Sequence, residues 1–379
     1  MLLAPAYWIW DDTRVLLVAQ ALLLAGASLP IYWWGRSQLG AAAGWCAQAA
    51  FLASWGVLAG DIFDFHELAL AVPAISFGLW ALLERRTRLF VAMLVLGCLA
   101  KEDIALTFAA MGLYALVVQR RRLFGLVVVG VCAAWFLVVL DVVIPAISEH
   151  RYHYWNYPAL GRSLPAAVLA LVQRPYRAVT LAVDRSTKVA TLVETFGAWL
   201  FLPLVSPLFL VALPALAERF WSQDPAFWSN RYQYSLPVAP VLAFVAIDGA
   251  RRLRPFSRQL LLGAAACGLV LSVFVVRPLA GLSEFMSAQR AAASDGCLDR
   301  IPPRAPVAAS GRLIPHLSHR LDVVPASRQS GQRYLALAHD DRRNGGLATE
   351  AGYRLVCRRG AVTVLEARRQ SRSGSTRAA

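Results

Sequence analysis

Residues 61–103 read DIFDFHELALAVPAISFGLWALLERRTRLFVAMLVLGCLAKED. Two apolar runs, residues 68–83 and 89–100, are framed by three charged clusters. The first cluster is Asp61, Asp64, His66 and Glu67. The second is the basic break at residues 84–88, and the third is Lys101, Glu102 and Asp103, after which the chain turns apolar again over 104–118. Ionisable groups at membrane depth are costly and usually face one another or a wet cavity. An inward run followed by an outward run returns the chain to the same membrane face. The first and third clusters are therefore expected to share one site, with the basic break on the opposite side.

The totals agree. Of 379 residues, 58% are hydrophobic and only 16% charged, against about 25% charged in soluble domains; mean hydropathy is +0.51. The excess apolar content lies in runs long enough to cross a bilayer, for which about 20 residues suffice. The net charge of +15 does not argue for nucleic acid. Its arginines fall mainly in short loops between apolar runs and in the C-terminal region, and membrane proteins accumulate Lys and Arg in cytoplasmic loops. Lysine occurs only at positions 101 and 188, so a lysine beside two acids in an apolar region stands out.

Membrane segments are expected over residues 15–34, 40–60, 68–83, 89–100, 104–118, 123–147, 189–203, 207–220, 235–247 and 260–276, about ten in all. The stretch 166–183 is amphipathic and suits the membrane surface. With Arg36, residues 85–88, 120–122 and 251–254 placed in the cytoplasm, alternation puts four chemically rich segments on the exoplasmic side. These are the clusters at 61–67 and 101–103, an aromatic loop with His150, Arg151, His153, Tyr154 and Trp155, and a second loop with Arg231, Tyr232 and Tyr234. The fold expected is an all-α polytopic membrane bundle over residues 1–277. A small exoplasmic α/β domain over 278–367 follows, since short β-like runs alternate there with helical turns, and then a disordered Ser/Arg-rich tail, 368–379. Cys297 and Cys357 are the only cysteines of that small domain. In an oxidising compartment they are candidates for a disulfide. The remaining four cysteines sit in apolar runs and are expected to be small core residues.

Asp64-Phe-His66, the following Leu-Ala-Leu-Ala-Val-Pro73, Lys101-Glu102-Asp103 and Tyr232-x-Tyr234-Ser235 resemble an uncharacterised family of predicted bacterial multi-pass membrane proteins. That family is grouped with the GT-C superfamily of polyprenyl-phosphate-dependent glycosyltransferases. The resemblance implies a GT-C-like bundle in the plasma membrane, membrane lipids as surroundings and a polyprenyl-phosphate-linked sugar as donor. It also implies a preceding span and an acidic exoplasmic loop. This chain opens on MLLAPAYWIW and carries Gln233 where relatives tend to have His, so an incomplete or inactive chain is expected.

For such a transfer, a carboxylate deprotonates the acceptor hydroxyl and cations balance the departing phosphate. Asp61, Asp64, His66, Glu67, Glu102 and Asp103 are the candidate catalytic groups. They could also hold a divalent cation, although their spacing matches no strict metal motif. Lys101 is the candidate phosphate contact. His150, Arg151, His153, Tyr154, Trp155, Arg231, Tyr232 and Tyr234 are candidate substrate contacts. Each group has a plainer explanation: acids near a helix N-terminus, an ion pair between helices, or an interfacial aromatic belt. The competing function is a lipid or solute transporter, or a non-catalytic membrane protein of envelope assembly. A transporter should show broken helices in corresponding halves, and the chain shows no such symmetry.

Overall fold

The computed structural model describes residues 3–12, 14–147, 155–253, 256–280, 288–318, 320–326, 332–339 and 352–368. His150, Arg151, His153 and Tyr154 lie outside them, as does the expected tail beyond 368. The chain divides into two compact units, residues 1–281 and 282–379.

The first unit is helical. After a 3-10 turn at Ala4–Trp8 come α1 (Arg14–Leu39), α2 (Ala41–Leu52) and α3 (Trp55–Ile62). The expected single span over 40–60 is in fact the bent pair α2 and α3, which meet at 43°. Next come α4 (Leu68–Leu83), α5 (Thr87–Ala100) and α6 (Ile104–Val117). Their boundaries fall at the charged clusters because a charge inside an apolar helix would be stranded in lipid. Arg85 and Arg120, at φ 57° each, take the left-handed conformation that terminates helices and is usually left to Gly or Asn. After α4 the Arg86 N–H closes on the Ala81 carbonyl at 2.7 Å, the six-to-one bond of a Schellman end.

The span 122–147 consists of α7 (Arg122–Val138), one π-turn at Val139–Val143 that contains Asp141, and α8 (Ile144–Ile147). The amphipathic stretch is likewise split, into α9 (Leu164–Gln173) and α10 (Arg177–Ala182). Residues 189–220 depart most from expectation. In place of two spans there are α11 (Ser186–Gly197), two 3-10 turns at Leu202–Val205 and Pro207–Ala212, and α12 (Leu213–Trp221). Leu200 and Phe201 adopt positive φ of 50° and 56°, which stops α11, and Pro203 and Pro207 keep the chain from resuming an α-helix.

The unit ends with α13 (Pro225–Trp228), α14 (Val238–Arg252) and α15 (Ser257–Ala280). Every residue from Val238 to Ala250 is buried, so α14 is the central post of the bundle. Gly249 is required there: a Cβ would lie 2.1 Å from the Leu202 carbonyl oxygen. Among the described residues, four helices are long and apolar enough to cross a membrane, or five with the bent pair counted as one; four more apolar helices are 10–17 residues long.

The second unit contains α16 (Ala288–Leu298) and strands β1 (Val307–Ala309), β2 (Val323–Pro325), β3 (Tyr334–Ala338), β4 (Tyr353–Arg359) and β5 (Val362–Ala367). The sheet order is β2-β1-β3-β5-β4. β1 pairs in parallel with β2 and β3, and β5 is antiparallel to β3 and β4. Alternate residues of β5 are buried, as period-two patterning requires. Cys297 and Cys357 are disulfide-bonded, with Cα atoms 5.7 Å apart.

Candidate active site

The turn between α5 and α6 presents Lys101 and Asp103 to α12. The Lys101 amine contacts an Asp103 carboxylate oxygen and lies 3.6 Å from Glu218 Oε1. All three side chains are mostly buried. Burial opposes the lysine charge, but Asp103 and Glu218 outweigh it and hold the amine above the usual lysine range. One cation thus serves two carboxylates, and Asp103 Oδ1 is buried with no hydrogen-bond partner. Arg219 and Tyr234 complete the polar lining of a cleft closed by Leu68, Ala215, Phe227 and Pro237. The cleft encloses about 10 Å³, room for roughly one water.

No residue of the 61–67 cluster lines this cleft; the cluster's link to it is the electrostatic one between His66 and the Lys101 group. His66 Nδ1 is 3.1 Å from Glu67 Oε2. Burial pushes His66 below its ordinary range, Glu67 and Asp103 pull it up, and Lys101 pushes it further down; the imidazole therefore shares a field with the Lys101 group. Its position is set by Gln20 of α1, which is fully buried. The Gln20 amide donates to the carbonyls of Gly60 and Asp61 at 3.1 and 3.3 Å, and its oxygen accepts the His66 N–H at 3.1 Å. Glu102 is partly buried, and desolvation raises it above the usual carboxylate range. Asp64 is exposed and Asp61 half-buried; neither lines the cleft.

The second aromatic loop contributes in two places. Tyr234 lines the Lys101 cleft and stacks on Phe227 at 4.3 Å. Tyr232 packs edge-on against Phe63 at 5.5 Å and, with Arg231, lines a separate cavity of about 660 Å³. Trp155 is engaged within its own loop, donating its indole N–H to the Gly161 carbonyl at 2.6 Å. Among the described residues, no group of three His, Cys, Asp or Glu side chains is arranged to hold a metal ion.

Glu218 and Arg219 were not among the residues singled out from sequence. They fall near the end of an apolar run, where an adjacent acid and base carry the same signal as Lys101-Glu102-Asp103. Arg219 is 1% exposed. Its Nε and Nη2 donate to the carbonyls of Phe227 and Ser229, both at 2.9 Å, while Nη1 is buried without a partner.

A many-helix bundle with helices apolar enough to cross a membrane, a charged cleft at a helix break and a separate small sheet unit define a polytopic membrane protein. The chain matches the family model described as "Predicted membrane protein (DUF2079)" over residues 1–341 and belongs to that family. Its fold is similar to that of ArnT from Cupriavidus metallidurans. The crystal structure of ArnT bound to undecaprenyl phosphate shares 16% identity at a TM-score of 0.53, covering 93% of this chain and 83% of that one. Its apo structure shares 14% identity at a TM-score of 0.51 with the same coverage. No protein of curated function matches the sequence.

Proposed function

We propose that the chain is a glycosyltransferase that takes a polyprenyl-phosphate-linked sugar as donor at the exoplasmic face of the bacterial plasma membrane. The observation that carries this is the Lys101 amine, held between Asp103 and Glu218 in a cleft of an ArnT-like fold. The arginine-bearing turns at residues 84–88 and 120–122 and the arginines at the end of α14 favour a cytoplasmic location for that side of the bundle. The clusters at 61–67 and 101–103 then face outward, together with the disulfide-bonded C-terminal unit.

In this scheme the acceptor hydroxyl attacks the anomeric carbon. The anomeric carbon–oxygen bond breaks, the phosphate leaves with the electron pair, and the hydroxyl proton passes to a carboxylate, Asp103 or Glu218. Lys101 balances the charge that grows on the phosphate. With room for about one water, the cleft admits a phosphate only when Lys101 exchanges a carboxylate for it. An amine already shared by two acids is suited to that exchange, because the acids keep it protonated while the site is empty of phosphate.

The test uses the full chain in nanodiscs, with undecaprenyl phosphate and undecaprenol compared by thermal shift. The phosphate is expected to stabilise the protein and the alcohol not. Lys101→Ala should weaken phosphate-lipid binding by at least about tenfold, the loss expected for a charge-assisted contact, while Cys98→Ala retains it. Equal binding of phosphate and alcohol, or equal loss in both variants, would overturn the proposal.

A further inference from the structure

The cavity of about 660 Å³ is distinct from the Lys101 cleft and lies within the volume range of small-molecule sites. One wall is a single stripe of α11, where Thr187, Thr191 and Glu194 recur at helical spacing; the other is the segment 224–232. The wall is built from below. Buried Arg219 holds the carbonyls of Phe227 and Ser229. Lys188, 1% exposed, is tied to the Leu181 carbonyl at 2.8 Å and to Asp184 at 3.0 Å, and its amine stands 5.9 Å from the Trp228 ring. A loop wall pinned by two buried cations is preorganised, which reduces the ordering cost of binding.

The chemistry of the lining is that of polyol recognition. Asn230 Nδ2 donates to Glu194 Oε2 at 3.1 Å, and both groups retain hydrogen-bonding capacity for a ligand. Threonine hydroxyls, the Arg231 guanidinium and the rings of Trp228 and Tyr232 stand around them. The lining carries Glu194, Asp224 and Arg231, with buried Arg219 and Lys188 directly behind the wall, so the charges nearly balance and the site suits an uncharged ligand better than an ion. The segment Ala226–Trp228 separates the two hollows: Ala226 and Trp228 line the larger, and Phe227 and Arg219 line the Lys101 cleft.

We infer that the cavity between α11 and residues 224–232 binds a neutral saccharide, with Glu194 as its principal hydrogen-bonding carboxylate, beside the cleft that takes the phosphate. Its assignment to the sugar of a phosphate-linked donor rests on the proposed transferase activity. Saccharide binding itself does not.

The experiment is saturation-transfer NMR on the full chain in nanodiscs, which avoids sugar-based detergents. The probes are methyl α-glucoside, methyl α-mannoside and methyl β-galactoside, with glucuronate as the anionic control. At least one neutral glycoside is expected to bind, and glucuronate not. Glu194→Ala should raise the dissociation constant about tenfold or more, as loss of a hydrogen bond to a charged group does. Ala190→Trp, from an exposed lining position, should block binding by filling the cavity without touching the core. Both variants should still bind undecaprenyl phosphate, and Lys101→Ala should still bind the glycoside. Absence of glycoside binding, or equal binding in wild type and both cavity variants, overturns the inference. Glycoside binding without phosphate-lipid binding supports the cavity and overturns the transferase proposal, so the two failures are distinguishable.

Discussion

Asp103 in the helical unit and Glu366 in the C-terminal sheet are both buried acids beside cations, but they are completed differently. Glu366 Oε1 accepts from Arg333 Nη2 at 2.9 Å and from the Tyr334 hydroxyl at 3.1 Å; Oε2 accepts from Arg354 Nη2 at 2.8 Å. Each oxygen is satisfied from within the sheet. Asp103 shares one lysine with Glu218 and leaves Oδ1 bare. Buried polar groups are normally paired, so an unpaired oxygen beside a shared cation marks a place where a ligand can complete the set. A carboxylate with every lone pair engaged is a fastener.

The sharpest way to break this contrast is to loosen each unit separately. The Cys297–Cys357 bond closes a separation of 60 residues, which in the chain-entropy model contributes about 4 kcal/mol. Cys297→Ser with Cys357→Ser is therefore expected to destabilise the sheet unit strongly, seen as loss of hydrogen-exchange protection across β3–β5 in the full chain. Undecaprenyl phosphate binding should survive. Its loss would mean that the sheet unit takes part in the lipid site.

A smaller effect is expected at the cleft. Lys101→Met leaves Asp103 and Glu218 facing each other without their cation. Breaking a fully buried pair costs about 3–5 kcal/mol; with 11–26% of these side chains exposed, about 1–3 kcal/mol is expected. Adding Asp103→Asn to Lys101→Met should recover part of it, because the cost lies in stranded charge. Thermal unfolding of the single and double variants in nanodiscs checks this. No recovery in the double variant would show that Lys101 acts through packing.

How much of this was legible beforehand follows from where the physics is local. The ends of α4, α5 and α6 could be read because a charge cluster must stop an apolar helix, and the strand character of the C-terminal unit could be read from its short β-like runs. The stretch 189–220 could not. Its apolar content suits two spans, but two residues at positive φ and the prolines fold it into short turns, a conformation set by tertiary packing around Gly249 and α14. Asp103 and Lys101 were visible as a charged break. Glu218 carries the same local signal beside Arg219, but its pairing with Lys101 could not be read, because the two lie more than a hundred residues apart and only the fold brings them together.

The least conspicuous consequence of the contrast concerns pH and appears only in acid. The hydrogen bonds from Arg354 and Arg333 hold the Glu366 carboxyl at about 2, against an ordinary value of 4.5. A carboxyl depressed on folding binds more protons unfolded than folded, so its contribution rises with pH. It is fully present above about 4.5 and is lost as pH falls from there toward 2. Wild-type protein should therefore lose protection in β3, β4 and β5 between those values, in hydrogen exchange followed strand by strand. Glu366→Gln should be less stable at neutral pH and should lack this segment of the acid response, because no carboxylate remains to protonate. The same acid response in both proteins would assign it to another carboxyl and remove the claim that Glu366 fastens the sheet.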